Sequence, residues 1–207
     1  MDQKQNPKKV NLNDVRLLYG QALFEPQRGP NGEGEPKHSG TFAFKPEHPA
    51  HAAIKKAMQA AAEEKWGAKA GEVFLQLKAG DRLCLHDGAA KADKEGYAGH
   101  LYISASNKLK PLVIDGNKSP LSASSGKVYS GCYVNASIEL WAQDNKFGKR
   151  INATLMGVQF LRDGARLVGG GVASADDFEA IPEAAGDAQA MPATAGAVTG
   201  GNPDPFA

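Results

Sequence analysis

Four aromatic residues in the sequence could stack against flat rings: Tyr102, Tyr129, Tyr133 and Trp141. Three of them fall between Val128 and Ala142, where apolar residues alternate with other types. Such alternation predicts a β-strand with one face on the core and one open face. The three rings lie on the open face, where large aromatic groups are costly to leave in water. Rings on an open sheet face are typical of surfaces that stack unpaired nucleic-acid bases.

Basic residues flank the predicted strands: Lys108, Lys110, Lys127, Lys146, Lys149 and Arg150. Such side chains neutralise phosphates in a salt-dependent way that ignores base sequence. Tyr102 belongs to a second alternating strand, Gly99–Ser106, and would extend the stacking surface if both strands lie in one sheet. We rank Tyr102 and Tyr133 first for stacking and Trp141 last, because Trp141 lies beside a turn. Packing of any of these rings under a loop is the structural alternative.

The rest of the chain predicts a mainly β fold with one inserted helix. The helix begins at Pro49 and ends at about Trp66, with an apolar face made of Ile54, Met58, Ala61, Ala62 and Trp66. Further short strands are predicted at 15–23, 41–45, 73–77, 81–86, 111–114 and 151–161. The last of these forms a hairpin with 128–142 across residues 143–149. Residues 27–39 read as an exposed, flexible loop. Short strands joined by Gly, Asp and Asn turns predict a small closed or partly open barrel.

Charged residues are distributed unevenly along the chain. Residues 174–207 contain six acidic residues and no Lys or Arg. Removing those six from the 23 acids of the chain leaves 17 against 24 basic residues, a balance of +7. We therefore expect a flexible basic arm at 1–10, a binding domain at 11–173 and a disordered acidic tail at 174–207. A basic body suggests a polyanionic partner for which the tail can compete, although a tail that only adds solubility would look the same.

Other kinds of chemistry find less support. Cys84 and Cys132 lie in apolar patterns, which predicts core packing in a reducing compartment. His48 and His51 have no accompanying ligands at metal-binding spacing, so we expect neither a metal nor a cofactor. Asp81, His86 and Asp87 could form an acid–base set, but no nucleophile motif accompanies them. No apolar run is long enough for a membrane span, and residues 1–10 do not resemble a secretory signal.

Several segments resemble a known family. Residues 99–108 (GHLYISASNK), 129–141 (YSGCYVNASIELW) and 145–163 (NKFGKRINATLMGVQFLRD) are similar to phage single-stranded DNA-binding proteins related in fold to the T7-type protein. Residues 80–88 and 175–179 share the likeness, which covers most of 10–180. The resemblance implies a five-stranded OB-type barrel with extra strands and single-stranded DNA binding with little sequence preference. It also implies a role in phage replication, recombination and repair, and a partner-binding acidic tail that includes Asp176, Asp177, Glu179, Asp204 and Phe206.

These observations favour a non-enzymatic single-stranded DNA-binding protein in the cytoplasm of a bacterial host cell. Tyr102, Tyr129, Tyr133 and Trp141 would stack bases, while the six basic residues would bind phosphates. Replication and recombination proteins are the expected partners of the tail, no membrane partner is expected, and whether the chain forms a homodimer is left open. Two alternatives remain: a small metal-dependent nuclease or phosphoesterase, and a protein-interaction or virion-assembly module.

Overall fold

Seven strands build the fold, and the computed structural model describes them within residues 6–29 and 31–167. The strands are β1 (Lys9–Tyr19), β2 (His38–Phe44), β3 (Leu85–Asp87), β4 (Leu101–Asn107), β5 (Leu112–Ile114), β6 (Tyr133–Asn145) and β7 (Gly148–Arg162). Their order in the sheet is β3-β4-β2-β1-β6-β7-β5, and β4 also pairs with β7. That last pairing, between Ser106 and Thr154, closes β1, β2, β4, β7 and β6 into a five-stranded barrel. The predicted OB-type barrel is therefore confirmed.

The barrel interior follows from the alternation in its strands. Val134, Ala136, Ile138 and Leu140 of β6 are buried, and the intervening residues point outwards. The neighbouring β7 buries Ile151, Ala153, Leu155 and Val158 in the same way. Both free cysteines, Cys84 and Cys132, are buried, as predicted from their apolar surroundings. Burial raises the pKa of the Cys84 thiol to about 12, because the thiolate would lose its hydration.

Helix α1 (Pro49–Trp66) lies between β2 and β3 in the chain and has the predicted bounds. Pro49 occupies the first helical position, and the His48 ring nitrogen Nδ1 accepts a hydrogen bond from the Ala50 N–H (3.1 Å). The helix ends at Gly67, whose φ of +52° favours glycine. Its buried residues include Ile54, Met58, Ala61 and Ala62, as the apolar spacing predicts. Its Trp66 indole N–H donates to Asp144 Oδ2 of β6 (2.9 Å).

A second helix, α2 (Ala70–Ala79), replaces the strand predicted at 73–77, so that prediction is wrong. The short apolar run Val73–Leu77 fits either element by composition. Tertiary packing decides for a helix, because Ala70, Val73 and Leu77 share one helical face and are all buried. The helix packs against α1.

Three strands begin well away from their predicted first residues. Strand β6 begins at Tyr133 rather than Val128, because Gly131 (φ +110°) breaks the extended backbone. A side chain at Gly131 would overlap the Ala165 carbonyl, so this glycine lets residues 163–167 pass closely over 128–132. Strand β1 begins at Lys9, which places the end of the predicted arm in the sheet, and β3 forms only at Leu85–Asp87. The predicted hairpin between β6 and β7 is confirmed.

Two further observations concern the remaining predictions. The loop predicted at 27–39 is exposed at 27–29 and 31–37, whereas His38 and Ser39 belong to β2 and His38 is buried. No helix within the described residues is long and apolar enough to cross a membrane. The predicted acidic tail, 174–207, lies outside the described residues.

Candidate nucleic-acid interface

Small hydroxyl side chains line one outer face of the barrel. Five hydroxyl side chains alternate with buried core residues along their strands and therefore point outwards. They are Ser39 and Thr41 of β2, Ser104 and Ser106 of β4, and Thr154 of β7. Their registers make them one surface, since Ser39 pairs with Ser106, Thr41 with Ser104, and Ser106 with Thr154. The Thr41 and Ser104 hydroxyl oxygens lie 2.9 Å apart and share a hydrogen bond. We call this surface the hydroxyl strip; its short side chains leave room above the sheet and can donate or accept hydrogen bonds.

A groove borders the hydroxyl strip at β1 and the 20–37 connection. The loop groove has a volume of about 540 Å³ and is lined in part by Tyr19, Gln21, Gln27, Arg28 and Lys37. The Tyr19 side chain is 54% exposed although it follows a buried run in β1, so its ring is available to a ligand. Arg28 and Lys37 supply positive charge at the groove, whose lining also includes the carboxylates of Glu33 and Glu35. Proteins commonly bind single nucleic-acid strands in grooves that combine basic side chains with aromatic rings.

One predicted phosphate-binding residue contacts the loop that forms this groove. Lys108 follows β4 and forms an ion pair with Glu35. The hydrogen bond from Lys108 lowers the pKa of the Glu35 carboxyl, so Glu35 is charged near neutral pH. Both side chains are about two-thirds exposed, and exposed pairs of this kind contribute little stability. A phosphate can therefore replace Glu35 as the partner of Lys108 at small cost.

The turn between β6 and β7 places three predicted phosphate-binding residues together. Asn145 pairs with Gly148, and the Asn145 side-chain oxygen accepts from the Phe147 N–H (2.9 Å), which leaves Lys146 and Phe147 at the apex. Phe147 is 76% exposed, the highest value among the large apolar residues of the described chain. We use the name hairpin tip for Lys146, Phe147, Lys149 and Arg150. It combines an exposed ring with three positive charges.

The structure places Tyr133 and Tyr129 at one end of β6, each beneath an arginine. The Arg162 guanidinium carbon is 3.5 Å from the Tyr133 ring centroid, and that of Arg166 is 4.1 Å from the Tyr129 ring centroid. The Tyr129 hydroxyl donates to Asp163 Oδ1 (2.8 Å) and accepts from the Gly164 N–H (3.1 Å). Both residues are half-buried. These tyrosines therefore hold the 163–167 segment in place as well as presenting part of their surface.

Trp141 has the freest ring of the four predicted stacking residues. It is 42% exposed on the outer face of β6, opposite Asn152 of β7. At about 3.4 Å per residue it lies roughly 27 Å along the strand from Tyr133. Trp141 was predicted to rank last for stacking, whereas its exposure favours it over the other three rings.

Tyr102 is enclosed, contrary to its leading place in the predicted stacking surface. Its side chain points outwards from β4 but is only 7% exposed, because the segment between β3 and β4 covers it. The His86 ring stacks at 5.1 Å, Tyr97 packs edge-on at 4.9 Å, and Lys91 Nζ lies 4.7 Å from the Tyr102 ring centroid. No ring face is left for a base.

The predicted platform of β4 beside β6 is also wrong. In the sheet order, β2 and β1 separate these two strands on one side, and β7 separates them on the other. Tyr102 therefore does not share a surface with Tyr133 and Trp141.

The predicted basic residues fall into separate groups. Lys146, Lys149 and Arg150 share the hairpin tip, whereas Lys110 lies just before β5, which pairs with 157–159 of β7. From Arg150 to Gly157 along β7 is roughly 24 Å. Lys127 is exposed before Tyr129, apart from both. The predicted tail residues, Asp176, Asp177, Glu179, Asp204 and Phe206, lie outside the described residues.

Two of the three residues considered for a nuclease contact each other, and the third does not join them. Asp81 Oδ1 lies 2.9 Å from His86 Nδ1, and the Asp87 carboxylate accepts from the Ala89 N–H (2.9 Å), where it caps a short helix. Among residues 6–29 and 31–167, no cluster of three His, Cys, Asp or Glu side chains could hold a metal ion. Asp81 and His86 form a pair, but the Asp87 carboxylate turns to the backbone.

Besides the hydroxyl strip, four residues of this surface were not predicted: Tyr19, Arg28, Lys37 and Phe147. Phe147 carried a usable signal, since an aromatic residue between lysines in a short turn must be exposed. Tyr19 carried no such signal, because its position in the alternating pattern of β1 is that of a core residue. Arg28 and Lys37 acquire their place only when the 20–37 connection folds back beside β2.

Comparisons with known proteins find related phage proteins. The family described as the single-stranded DNA-binding protein of Enterobacter phage Enc34 matches residues 8–190. Protein p50 of Acyrthosiphon pisum secondary endosymbiont phage 1 is 46% identical over 174 residues, which are 83% of this chain and 92% of that protein.

Solved structures show the same likeness. The single-stranded DNA-binding protein of bacteriophage Enc34, solved in complex with single-stranded DNA, is 28% identical with a TM-score of 0.63, over 78% of this chain and 90% of that one. The single-stranded DNA-binding protein gp2.5 of bacteriophage T7 is 11% identical with a TM-score of 0.50, over 82% and 92% of the two chains. The second likeness concerns the fold alone.

Proposed function

This chain belongs to the single-stranded DNA-binding family of Enterobacter phage Enc34, and we propose from that premise that it binds single-stranded DNA without marked sequence preference. The binding is non-enzymatic in this proposal and serves phage replication, recombination and repair in the cytoplasm of the infected bacterial cell. Its DNA contacts are phosphate neutralisation by lysine and arginine and stacking of bases on exposed rings.

One observation carries the proposal: the hydroxyl strip is continuous from the hairpin tip to the loop groove. Arg150, Asn152 and Thr154 follow one another on the outer face of β7. Thr154 meets Ser106, and β4 and β2 then lead to Thr41, which pairs with Tyr19. A strand of DNA laid along this route has cations and a ring at each end, and hydroxyl groups between them. Ser and Thr commonly bind phosphate and sugar oxygens, which carry no sequence information.

The stacking residues of this proposal follow from exposure. Phe147 and Tyr19 stack bases at the two ends of the hydroxyl strip, because their rings are the exposed ones there. Trp141 is a further stacking site on the neighbouring face of β6. Tyr129 and Tyr133 contribute less, since an arginine already covers one face of each ring.

The acidic tail has a regulatory role in the proposal. Its six acids and absence of basic residues make it an internal competitor for the cations that bind phosphate. When DNA displaces the tail, the segment with Asp204 and Phe206 becomes available to replication and recombination proteins. The tail thus couples occupancy by DNA to the recruitment of partners.

A titration with labelled oligonucleotides tests the proposal. We expect tight binding to oligo-dT and oligo-dC, weaker binding to duplex DNA of the same length, and a steep loss of affinity between about 50 and 200 mM salt. Equal affinity for single and double strands, or no binding to either, would overturn the proposal. Incubation of the same DNA with Mg²⁺ or Mn²⁺ is the control for catalysis. Cleavage that disappears in Asp87→Ala would favour the nuclease alternative instead.

A further inference from the structure

A second cavity opens at the end of the barrel, on the other side of the 20–27 connection from the loop groove. Its volume is about 540 Å³, within the range of small-ligand pockets. The residues that matter to its chemistry are Gln21, Phe24, Glu25, Gln27, Tyr129 and Arg166. We call it the barrel-end pocket.

The barrel-end pocket adjoins the proposed DNA route. Gln21 and Gln27 line both this pocket and the loop groove, so the two cavities are separated only by the chain that carries these side chains. Both glutamines are exposed. A strand that leaves the loop groove past Tyr19 therefore reaches the barrel-end pocket without crossing the barrel.

The pocket is suited to a base rather than to a phosphate. Arg166 lies with its guanidinium carbon 4.1 Å from the Tyr129 ring centroid and is exposed, so its outer side is open to a flat group. Guanidinium planes stack unpaired bases as aromatic rings do. The Glu25 carboxylate in the wall repels a phosphate but accepts hydrogen bonds from base N–H groups. Every natural base offers at least one N–H donor, which fits binding with little sequence preference.

The position of Arg166 is set by the residues around Tyr129. The Tyr129 hydroxyl binds both Asp163 and the Gly164 N–H, and the Leu167 N–H donates to the Ser130 carbonyl (2.9 Å). The segment that carries Arg166 is thereby fixed on both sides of it. The guanidinium is held over the ring by preformed structure, and a base can stack on it with little rearrangement.

We infer that the barrel-end pocket is a separate subsite for one unpaired base, which stacks on Arg166 above Tyr129 and hydrogen-bonds to Gln21, Glu25 or Gln27. This inference rests on the proposed function and extends the DNA route beyond the hydroxyl strip. The subsite adds affinity only for DNA strands long enough to reach from the hydroxyl strip to the barrel-end pocket. It therefore sets the number of nucleotides that one chain covers.

A series of oligo-dT lengths tests the inference with the full chain. The unaltered protein should show a step in affinity when the strand becomes long enough to enter the barrel-end pocket. In Arg166→Ala that step should disappear, with a loss of about 5-fold or more for long strands and almost none for short ones. The matched control, Arg150→Ala at the hairpin tip, should weaken binding at every length.

A conservative variant separates stacking from charge. Arg166→Lys keeps the positive charge but lacks the flat group, so it should lose the affinity step as Arg166→Ala does. If Arg166→Lys keeps the step, or if Arg166→Ala weakens all lengths equally, the subsite is wrong while DNA binding stands. If the unaltered protein binds no single-stranded DNA, the proposed function fails instead. Thermal unfolding of each variant verifies that the fold is retained.

Discussion

The guanidinium of Arg162 covers the Tyr133 ring and also binds the Asp14 carboxylate, with its NH2 nitrogen 2.8 Å from Asp14 Oδ1. One side chain thus connects the ends of β6 and β7 to the bulge in β1. Gly164 packs against the same ring, since a Cβ there would lie 3.0 Å from Tyr133 Cε2. Tyr133 is consequently a structural residue before it is a stacking residue.

We expect Tyr133→Ala to reduce stability more than DNA affinity. The variant loses the contact with Arg162, which is worth about 0.5–1 kcal/mol at a partly exposed site, together with the packing of a half-buried ring. The free energy of unfolding should fall by about 1–3 kcal/mol, measured by urea denaturation. Affinity for oligo-dT at a temperature where the variant is folded should change less than twofold. A large loss of affinity in a stable variant would restore Tyr133 as a principal stacking residue.

Phe147→Ala should reduce DNA affinity more than stability. The ring is 76% exposed at the hairpin tip, so its removal costs almost no stability. The loss of a stacked base should cost about 1–3 kcal/mol of binding free energy to oligo-dT, measured by fluorescence anisotropy. Phe147→Trp is the control, because it retains a stacking surface and should retain affinity. Unchanged binding by Phe147→Ala would exclude the hairpin tip from the DNA route.

The positive charges of the hairpin tip should contribute to the salt dependence of DNA affinity. Each phosphate contact on a single strand adds about 0.7 to the slope of log affinity against log salt. Replacing Lys146, Lys149 and Arg150 by glutamine should therefore lower the slope by about 2. The comparison variant is Lys110→Gln, which removes an exposed charge away from the hydroxyl strip and should leave the slope nearly unchanged. If Lys110→Gln lowers the slope as much as a hairpin-tip substitution does, the attraction is diffuse rather than confined to a defined route.

Removal of residues 174–207 should tighten DNA binding at low salt. The deletion removes six acids and changes the net charge of the remaining chain to +7, so the cations no longer meet an internal competitor. The gain should shrink as salt rises, because screening weakens the competition. Titrations at about 50 and 200 mM salt measure both effects. An affinity that stays the same or falls would show that the tail does not compete.

The reactivity of the two cysteine thiols, and the pH dependence of stability, test whether both residues are buried in the core. Burial raises the pKa of Cys84 from 9.0 to about 12 and also raises the pKa of Cys132. Both thiols should therefore resist iodoacetamide at pH 8 in the native protein and react in denaturant. Because the unfolded thiols ionise first, their contribution to stability is complete below pH 9 and falls as pH rises towards the folded pKa. Rapid alkylation of the native protein would contradict the buried positions.

Local patterns were sufficient for some of the regular elements of this fold. Alternation identified the two faces of β6, and Pro49 with the following apolar spacing identified α1. The run Val73–Leu77 could not be assigned in this way, because a short apolar segment suits a strand as well as a helix. Its helical state depends on packing against α1, which is a contact between elements rather than a property of the run.

The candidate site was harder to predict than the fold. Tyr102 has the alternation of an exposed residue, yet the segment between β3 and β4 folds over it and supplies Tyr97 and Lys91. Gly131 likewise delays the start of β6, because residues 163–167 cross it. In both cases a segment outside the strand determines the exposure of a ring. The hydroxyl strip was missed for a related reason: single serines and threonines carry no signal until strand register brings them together.

The pairing of β1 with β6 has a consequence for how the chain is made. Lys9 pairs with Glu139, so one edge of the first strand has no partner until most of the domain has left the ribosome. The helical pair α1 and α2 relies on contacts close in sequence and can form earlier. Synthesis thus proceeds through a period in which an apolar strand edge is open to other chains. The open edge is closed only when β6 pairs with β1.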